Sequence, residues 1–156
     1  MYADNLLYLS GAQVAGGTTM AAQGPITATQ VSTNTIDLGV ARDIGEGRDM
    51  YARVEVTIAF NNLTSLLIEV ITTTDAALSA GIIVVGSSGA IPLASLVINS
   101  RFAVEINPQL AGKGARYLGL RYTVVGTAPT TGSVLADIGP DYQDGQKFYA
   151  TGISLI

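Results

Sequence analysis

Residues 53–60 read Arg-Val-Glu-Val-Thr-Ile-Ala-Phe, an alternation that puts Val54, Val56, Ile58 and Phe60 on one face and Arg53, Glu55 and Thr57 on the other. A period of two marks a half-buried strand, because successive side chains leave a pleated backbone on opposite sides. The pattern recurs along the chain. Residues 65–73 align Leu66, Ile68, Val70 and Thr72, and residues 102–107 set Phe102, Val104 and Ile106 against Ala103, Glu105 and Asn107. Residues 116–125 set Leu118, Leu120, Tyr122 and Val124 against Tyr117, Arg121 and Thr123, and Val134, Ala136 and Ile138 repeat the spacing. Weaker patterning predicts strands at 5–9, 36–38, 82–85 and 147–155. Turns are expected at Asn61-Asn62, Gly86-Ser87-Ser88-Gly89, Asn107-Pro108, Gly126 to Gly132, and Gly139-Pro140. One short helical turn is expected from Asp75, as cap, to Ala80, with Gly81 as stop. Many short strands and almost no helix in 156 residues predict an all-β chain, an antiparallel β-sandwich or jelly roll forming a single domain over residues 1–156.

Composition narrows the function. With 48% hydrophobic and 13% charged residues, the chain can build a core without a disulfide or a metal. It contains no histidine and no cysteine. Ser-His-Asp triads, Cys-His dyads and His-Glu-x-x-His metal sites are therefore excluded, and a non-enzyme is expected. Eight cations against twelve carboxylates give a net charge of −4, and the first 41 residues hold no cation. That distribution disfavours nucleic acid and anionic membranes, which both need clustered positive charge. The opening Met-Tyr-Ala-Asp-Asn has neither the basic region nor the long apolar run of a secretory signal, so synthesis in the cytoplasm is expected. No apolar run approaches the ~20 residues of a membrane helix.

Residues 11–35 are uncharged, rich in Gly, Ala, Thr and Gln, and poor in bulky apolar side chains. They read as an extended arm or long loop: either a mobile surface segment, or an arm that adds a strand to a partner's sheet edge. Residues 42–51, Arg-Asp-Ile-Gly-Glu-Gly-Arg-Asp-Met-Tyr, concentrate charge in a charge-poor chain. They form either a solvated loop stitched by Arg-Asp pairs or a contact patch of Arg42, Asp43, Glu46, Arg48, Asp49 and Tyr51, where paired charges set register and specificity.

Other motifs fail on their own chemistry. Residues 106–114 resemble a phosphate loop, but Asn107 and Gly114 stand where a glycine and a hydroxyl are required. Gly45-Glu46-Gly47 begins a dinucleotide fingerprint that Met50 breaks. Asp137, Asp141 and Asp144 lack the alternating ligands and closing glutamate of an EF-hand, so capping chemistry is expected in place of Ca²⁺. Glu55, Glu69 and Glu105 fall on outward rows, where cross-strand pairing with Arg53, Arg101 or Arg121 is favoured over a glycosidase pair. A carbohydrate-binding module would need an aromatic platform, for which Tyr117, Tyr142 and Tyr149 are the available parts. No cofactor and no metal are expected.

Several segments carry a resemblance. Tyr2-Ala3-Asp4-Asn5, Thr35-Ile36-Asp37-Leu38-Gly39 and Arg42-Asp43-Ile44-Gly45 are three of them; Gly114-Ala115-Arg116-Tyr117-Leu118-Gly119-Leu120-Arg121-Tyr122 and Asp141-Tyr142-Gln143-Asp144 complete the set. In this order, over nearly the whole chain, they resemble the capsid cement (decoration) proteins of tailed bacteriophages, in particular of short-tailed Bordetella phages. The resemblance implies a jelly roll on the outside of the virion. It further implies a homo-oligomer, a dimer by preference, that clamps neighbouring major capsid proteins of the HK97-type fold. The motifs are structural, and the family supplies no catalytic residues to carry over. Another virion component, of the tail or of head completion, is the alternative within the same class.

Overall fold

The computed structural model describes residues 5–14, 20–44, 48–110 and 115–140. Two short 3-10 turns, Asn5–Leu7 and Leu93–Ser95, are the helical elements among them; the rest is strand and loop. The strands are β1 (Tyr8–Ser10), β2 (Ala12–Gln13), β3 (Met20–Ala21), β4 (Gln30–Val31), β5 (Ile36–Asp37), β6 (Tyr51–Ile58), β7 (Leu63–Thr73), β8 (Ile83–Pro92), β9 (Arg101–Glu105), β10 (Tyr117–Gly126) and β11 (Ser133–Gly139). One sheet runs β1-β11-β6-β9; the other runs β4-β10-β7-β8, with β5 beside β4 on the β10 edge. All pairings are antiparallel. With β4 and β5 counted as one interrupted strand and the β2–β3 hairpin set aside, every connection changes sheet except the β7–β8 hairpin. That is the winding of a jelly roll.

The core between the sheets is built from the rows that alternation anticipates. Val54 and Val56, Leu66, Ile68 and Val70, Leu118, Leu120 and Tyr122, and Val134, Ala136 and Ile138 all belong to one buried cluster. Tyr122 is fully buried, and its hydroxyl shares a 2.7 Å hydrogen bond with Ser10 Oγ. The phenol thus keeps a partner in the interior, where an unmade bond would be expensive. Burial pushes its pKa up, with the Ser10 bond working the other way.

Four expectations are corrected. Gly86-Ser87-Ser88-Gly89 is no turn but the middle of β8, where the register against β7 shifts twice. These are bulges: Gly89 takes φ +67°, and Ser88 Oγ accepts the Ile68 N–H at 3.0 Å, filling a gap in the ladder. Gly86 is required by a close approach, since a Cβ there would collide with the Glu105 carbonyl of β9. Ile58, expected inside, is 53% exposed because β6 ends there and β11 meets it only across a bulge at Ser133. Arg53 alternates with core residues and so lies on the outer side of its sheet, yet it is buried. Residues 75–80 form a turn and not a helix: Asp75 accepts from the Ala77 and Ser79 N–H groups, but Leu78 adopts φ +56°, which stops propagation.

The 11–35 stretch is also not a free arm over its described residues. Ile26 is fully buried, Gln23 exchanges backbone hydrogen bonds with Val134, and Ile26 N–H reaches Gly132 O at 2.9 Å. The chain then crosses to the other sheet, where β4 pairs with β10 and Ser32 N–H bonds Leu120 O. The Gln23 amide ties the crossing together, donating to Val31 O at 2.8 Å and accepting from Thr33 N–H at 3.0 Å. Strand addition does occur here, but onto the protein's own sheets. The strand expected at 147–155 lies outside the described residues.

Candidate functional site

Because nearly every connection changes sheet, successive loops fall at opposite ends of the sandwich. The described residues of the 38–50, 74–82 and 106–116 loops gather at one end, and residues 59–62, 93–100 and 127–132 at the other. The loops of the first end are rich in charge, and the loops 59–62, 93–100 and 127–132 contain no Asp, Glu, Lys or Arg.

At the charged end, the 38–50 loop is moored by its apolar residues. Leu38, Ile44 and Met50 pack against the core, and backbone bonds fix each: Leu38 N–H to Arg116 O at 3.0 Å, Ile44 N–H to Pro108 O at 3.1 Å, Ile106 N–H to Met50 O at 2.9 Å. Between these moorings Arg42, Asp43, Arg48 and Asp49 are exposed. Tyr51 begins β6, half-buried, opposite Glu105 and Gly139. The structure thus brings Arg42, Asp43, Arg48 and Asp49 to one end on one loop, with Tyr51 beside them at the start of β6. Glu46, the sixth residue of the expected patch, lies outside the described residues. Arg42, Arg48 and Asp49 make no ion pair with any described residue, so the Arg-Asp stitching is not seen for these three.

Beside this loop, Arg116 grips Asp37 with two hydrogen bonds of 2.5 Å and stands 5.2 Å over the Tyr117 ring. The Arg116 bonds, then the Gly39 N–H, lower the Asp37 pKa to about 2. Tyr117 is therefore partly covered by a cation and is not a bare stacking platform; Tyr142 and Tyr149 lie outside the described residues. The 74–82 loop folds back on the outer side of the second sheet. There Leu78 is 1% exposed and fills the space above Gly119, where a Cβ would collide with it. Ser79 Oγ, then the Ala77 and Ser79 N–H groups, lower the Asp75 pKa to about 2.

The remaining described carboxylates of interest serve the fold. Arg53 holds Asp137 through two bonds, Nε to Oδ1 at 2.8 Å and Nη2 to Oδ2 at 2.5 Å, with the Arg53 side chain only 3% exposed. Tyr8, opposite Asp137 in the ladder, has its pKa raised by burial and by Asp137, with Arg53 opposing. Asp137 is thus committed to a guanidinium; Asp141 and Asp144, its companions in the sequence, lie outside the described residues. No group of metal-ligating side chains occurs among the described residues. Glu55 pairs with Arg101 at 3.0 Å and Glu69 with Arg121 at 2.8 Å, the cross-strand arrangement expected of them. Glu105 has no ion pair among the described residues.

At the opposite end, the backbone of residues 96–100 is bonded to residues 56–60 of β6 and its end. Val56 N–H bonds Ser100 O at 2.9 Å, Asn99 N–H bonds Val56 O at 2.8 Å and Phe60 N–H bonds Leu96 O at 3.1 Å, which sets the turn at 97–100, closed by Ser100 N–H to Val97 O at 3.1 Å, beside the end of β6. Ile98 is 60% exposed, Val97 51% and Ile58 53%. The neighbouring 127–132 loop is pinned by Asn61, whose Oδ1 accepts the Thr130 and Thr131 N–H groups and whose Nδ2 donates to Thr130 Oγ1 at 2.8 Å. Sequence reasoning missed this apolar step because Ile58 was assigned to the core. The signal that could have found it is the set of charge-free windows 56–68, 86–100 and 122–136, whose coincidence at one end needs the topology.

Comparison with known proteins gives one finding of weight. A protein-family model described as Bbp16 matches residues 19–138, most of the chain. No curated protein matches it significantly.

Proposed function

The chain belongs to the Bbp16 family, whose name suggests a Bordetella phage protein, and on that premise we propose that it is a noncatalytic structural protein of a phage head. It binds the outside of the shell and cements neighbouring major capsid proteins of the HK97-type fold. The observation that carries the reading is the family match across residues 19–138, which takes in strands of both sheets of the jelly roll. The geometry supports it in kind: exposed Arg42, Asp43, Arg48 and Asp49 sit on a moored loop suited to fixing register on a protein partner. The mechanism is multivalent clamping, in which a homo-oligomer engages several shell subunits through individually weak contacts and gains avidity from linkage. Arg42, Asp43, Arg48 and Asp49, with Tyr51 at their edge, are the shell contacts in this reading.

The test is cosedimentation of the purified chain with expanded capsids of its phage that lack it. Saturable binding at a fixed ratio to the major capsid protein, with capsids made more resistant to heat, is the expected result. No binding at micromolar concentration would reject the cement role and leave another virion component as the reading to pursue.

A further inference from the structure

We infer that the 42–50 loop presents one recognition unit twice, Arg42-Asp43-Ile44 and Arg48-Asp49-Met50, and that this doubled Arg-Asp dyad reads the order of charge on a protein surface carrying acidic and basic side chains side by side. The inference rests on the proposed function for its setting and deepens it by giving the chemistry of the surface that is met.

The argument begins with the arginines. The chain has six, and four of them hold a carboxylate: Arg53 with Asp137, Arg101 with Glu55, Arg116 with Asp37 and Arg121 with Glu69. Arg42 and Arg48 hold none among the described residues. These are also the two arginines that an aspartate follows directly, and in each case an apolar residue comes next. In a chain with so little charge, the fold commits four arginines and leaves this matched pair exposed.

The two units are built alike. In each, the Arg and the Asp are exposed and the third residue is half-buried, Ile44 and Met50 both packing against the core. Both are moored to one short stretch of chain: Ile44 N–H donates to Pro108 O at 3.1 Å, and Met50 O accepts from Ile106 N–H at 2.9 Å. Two residues of extended chain span at most ~7 Å, so the dyads emerge near one another from a common base. Charges held on such a base lose little freedom when they bind.

Their signs choose the partner. The two dyads sum to zero, so they exert no net pull on a one-signed polymer such as nucleic acid or on an anionic membrane. Two positive and two negative groups in a set order instead match a surface whose charges stand in the complementary order, and repel one whose order is wrong. Acidic and basic side chains interspersed in this way are the mark of a folded protein's surface. The occupant is therefore the outer face of the shell protein, met by charge order and not by net charge.

The experiment uses exchange variants that keep composition and net charge. Arg42→Asp with Asp43→Arg inverts one dyad, and Arg48→Asp with Asp49→Arg inverts the other. Parent and variants are titrated by cosedimentation against heads of the phage that lack the protein and, separately, against its tails. The parent is expected to bind heads, and each inversion to weaken binding ~10-fold or more while moving the melting temperature by less than ~2 °C. Thr127→Glu, which changes net charge at the opposite end, should stay within ~2-fold of the parent; an effect as large as that of the inversions would overturn the inference by showing that net charge is what is read. Inverted dyads that bind as well as the parent would overturn it, as would a loss confined to one dyad or an inversion that unfolds the chain. A parent that binds neither heads nor tails would also overturn it. Dyad-dependent binding to tails alone would reject the cement role and leave the inference standing.

Discussion

The two ends of this sandwich each close the same core with three loops, longer at one end than at the other, yet the loops of the one carry charge and those of the other contain no Asp, Glu, Lys or Arg. At the charged end, side chains such as Leu38, Ile44 and Met50 reach inward while the charges between them reach out. At the neutral end, Phe60 and Leu96 also reach inward, hydrogen bonds join Asn61 to the 127–132 loop and the 56–60 backbone to 96–100, and Ile58, Val97 and Ile98 remain exposed. The difference teaches that charge in this chain has two separate jobs. Charge inside or beside the sheets is structural, whereas Arg42, Arg48 and Asp49 of the 38–50 loop make no ion pair with any described residue.

The largest effect should come from confusing those jobs. Arg53→Ala leaves Asp137 without its guanidinium on the covered side of the first sheet. Breaking a buried pair by removing one partner is expected to cost ~3–5 kcal/mol, measurable by urea denaturation. Arg53→Met combined with Asp137→Leu should recover much of that loss; a double variant as unstable as the single one would show that more than the pair holds that site. Next in size is Gly119→Ala, which drives a methyl into the place of Leu78. Overpacking of this kind costs ~1–3 kcal/mol, and the 74–82 loop should show faster amide exchange before the core does.

Smaller still in stability, and sharper for the comparison, is Arg42→Ser with Arg48→Ser. The double variant should unfold within ~0.5 kcal/mol of the parent, because exposed residues away from networks contribute little. Its capsid affinity should fall and lose much of its salt dependence, whereas an unchanged affinity would remove the charged end from the shell contact. The smallest effect is acid sensitivity. Asp37 and Asp75 have pKa values lowered to about 2, so their contribution is complete above the ordinary carboxylate range and is lost as pH falls toward about 2. Stability should therefore decline between roughly pH 4 and 2, less steeply in Asp75→Asn, as followed by thermal melts across that window.

Much of the fold was legible because alternation is a local property. Val54 and Val56, Leu118 to Tyr122, and Val134 to Ile138 declare their faces without knowing their neighbours. What failed was set by distant contacts. Gly86 to Gly89 has the composition of a turn, and only the β7 ladder and the nearby Glu105 carbonyl keep it in a strand. Residues 11–35 lack obvious anchors, and Ile26 alone among their larger side chains is fully buried, so backbone pairing with β11 and β10 does the holding instead. The charge cluster at 42–49 could be found in the sequence, since charge is rare in this chain. The neutral end could not, because it is assembled from windows that only the jelly-roll winding brings together.

Both long sides of the sandwich are sewn. On one, residues 23–32 pass from β11 to β10; on the other, Asn107 N–H bonds Val85 O at 2.8 Å where Gly86 touches the end of β9. A simple sandwich resists sliding of its sheets through side-chain packing alone. Here backbone bonds cross between the sheets at both seams, so a force that pulls the sheets past one another must break hydrogen bonds at each. The protein is in mechanical terms closer to a closed tube than to two stacked plates. It would transmit tension from one end to the other with less internal slip than two stacked plates.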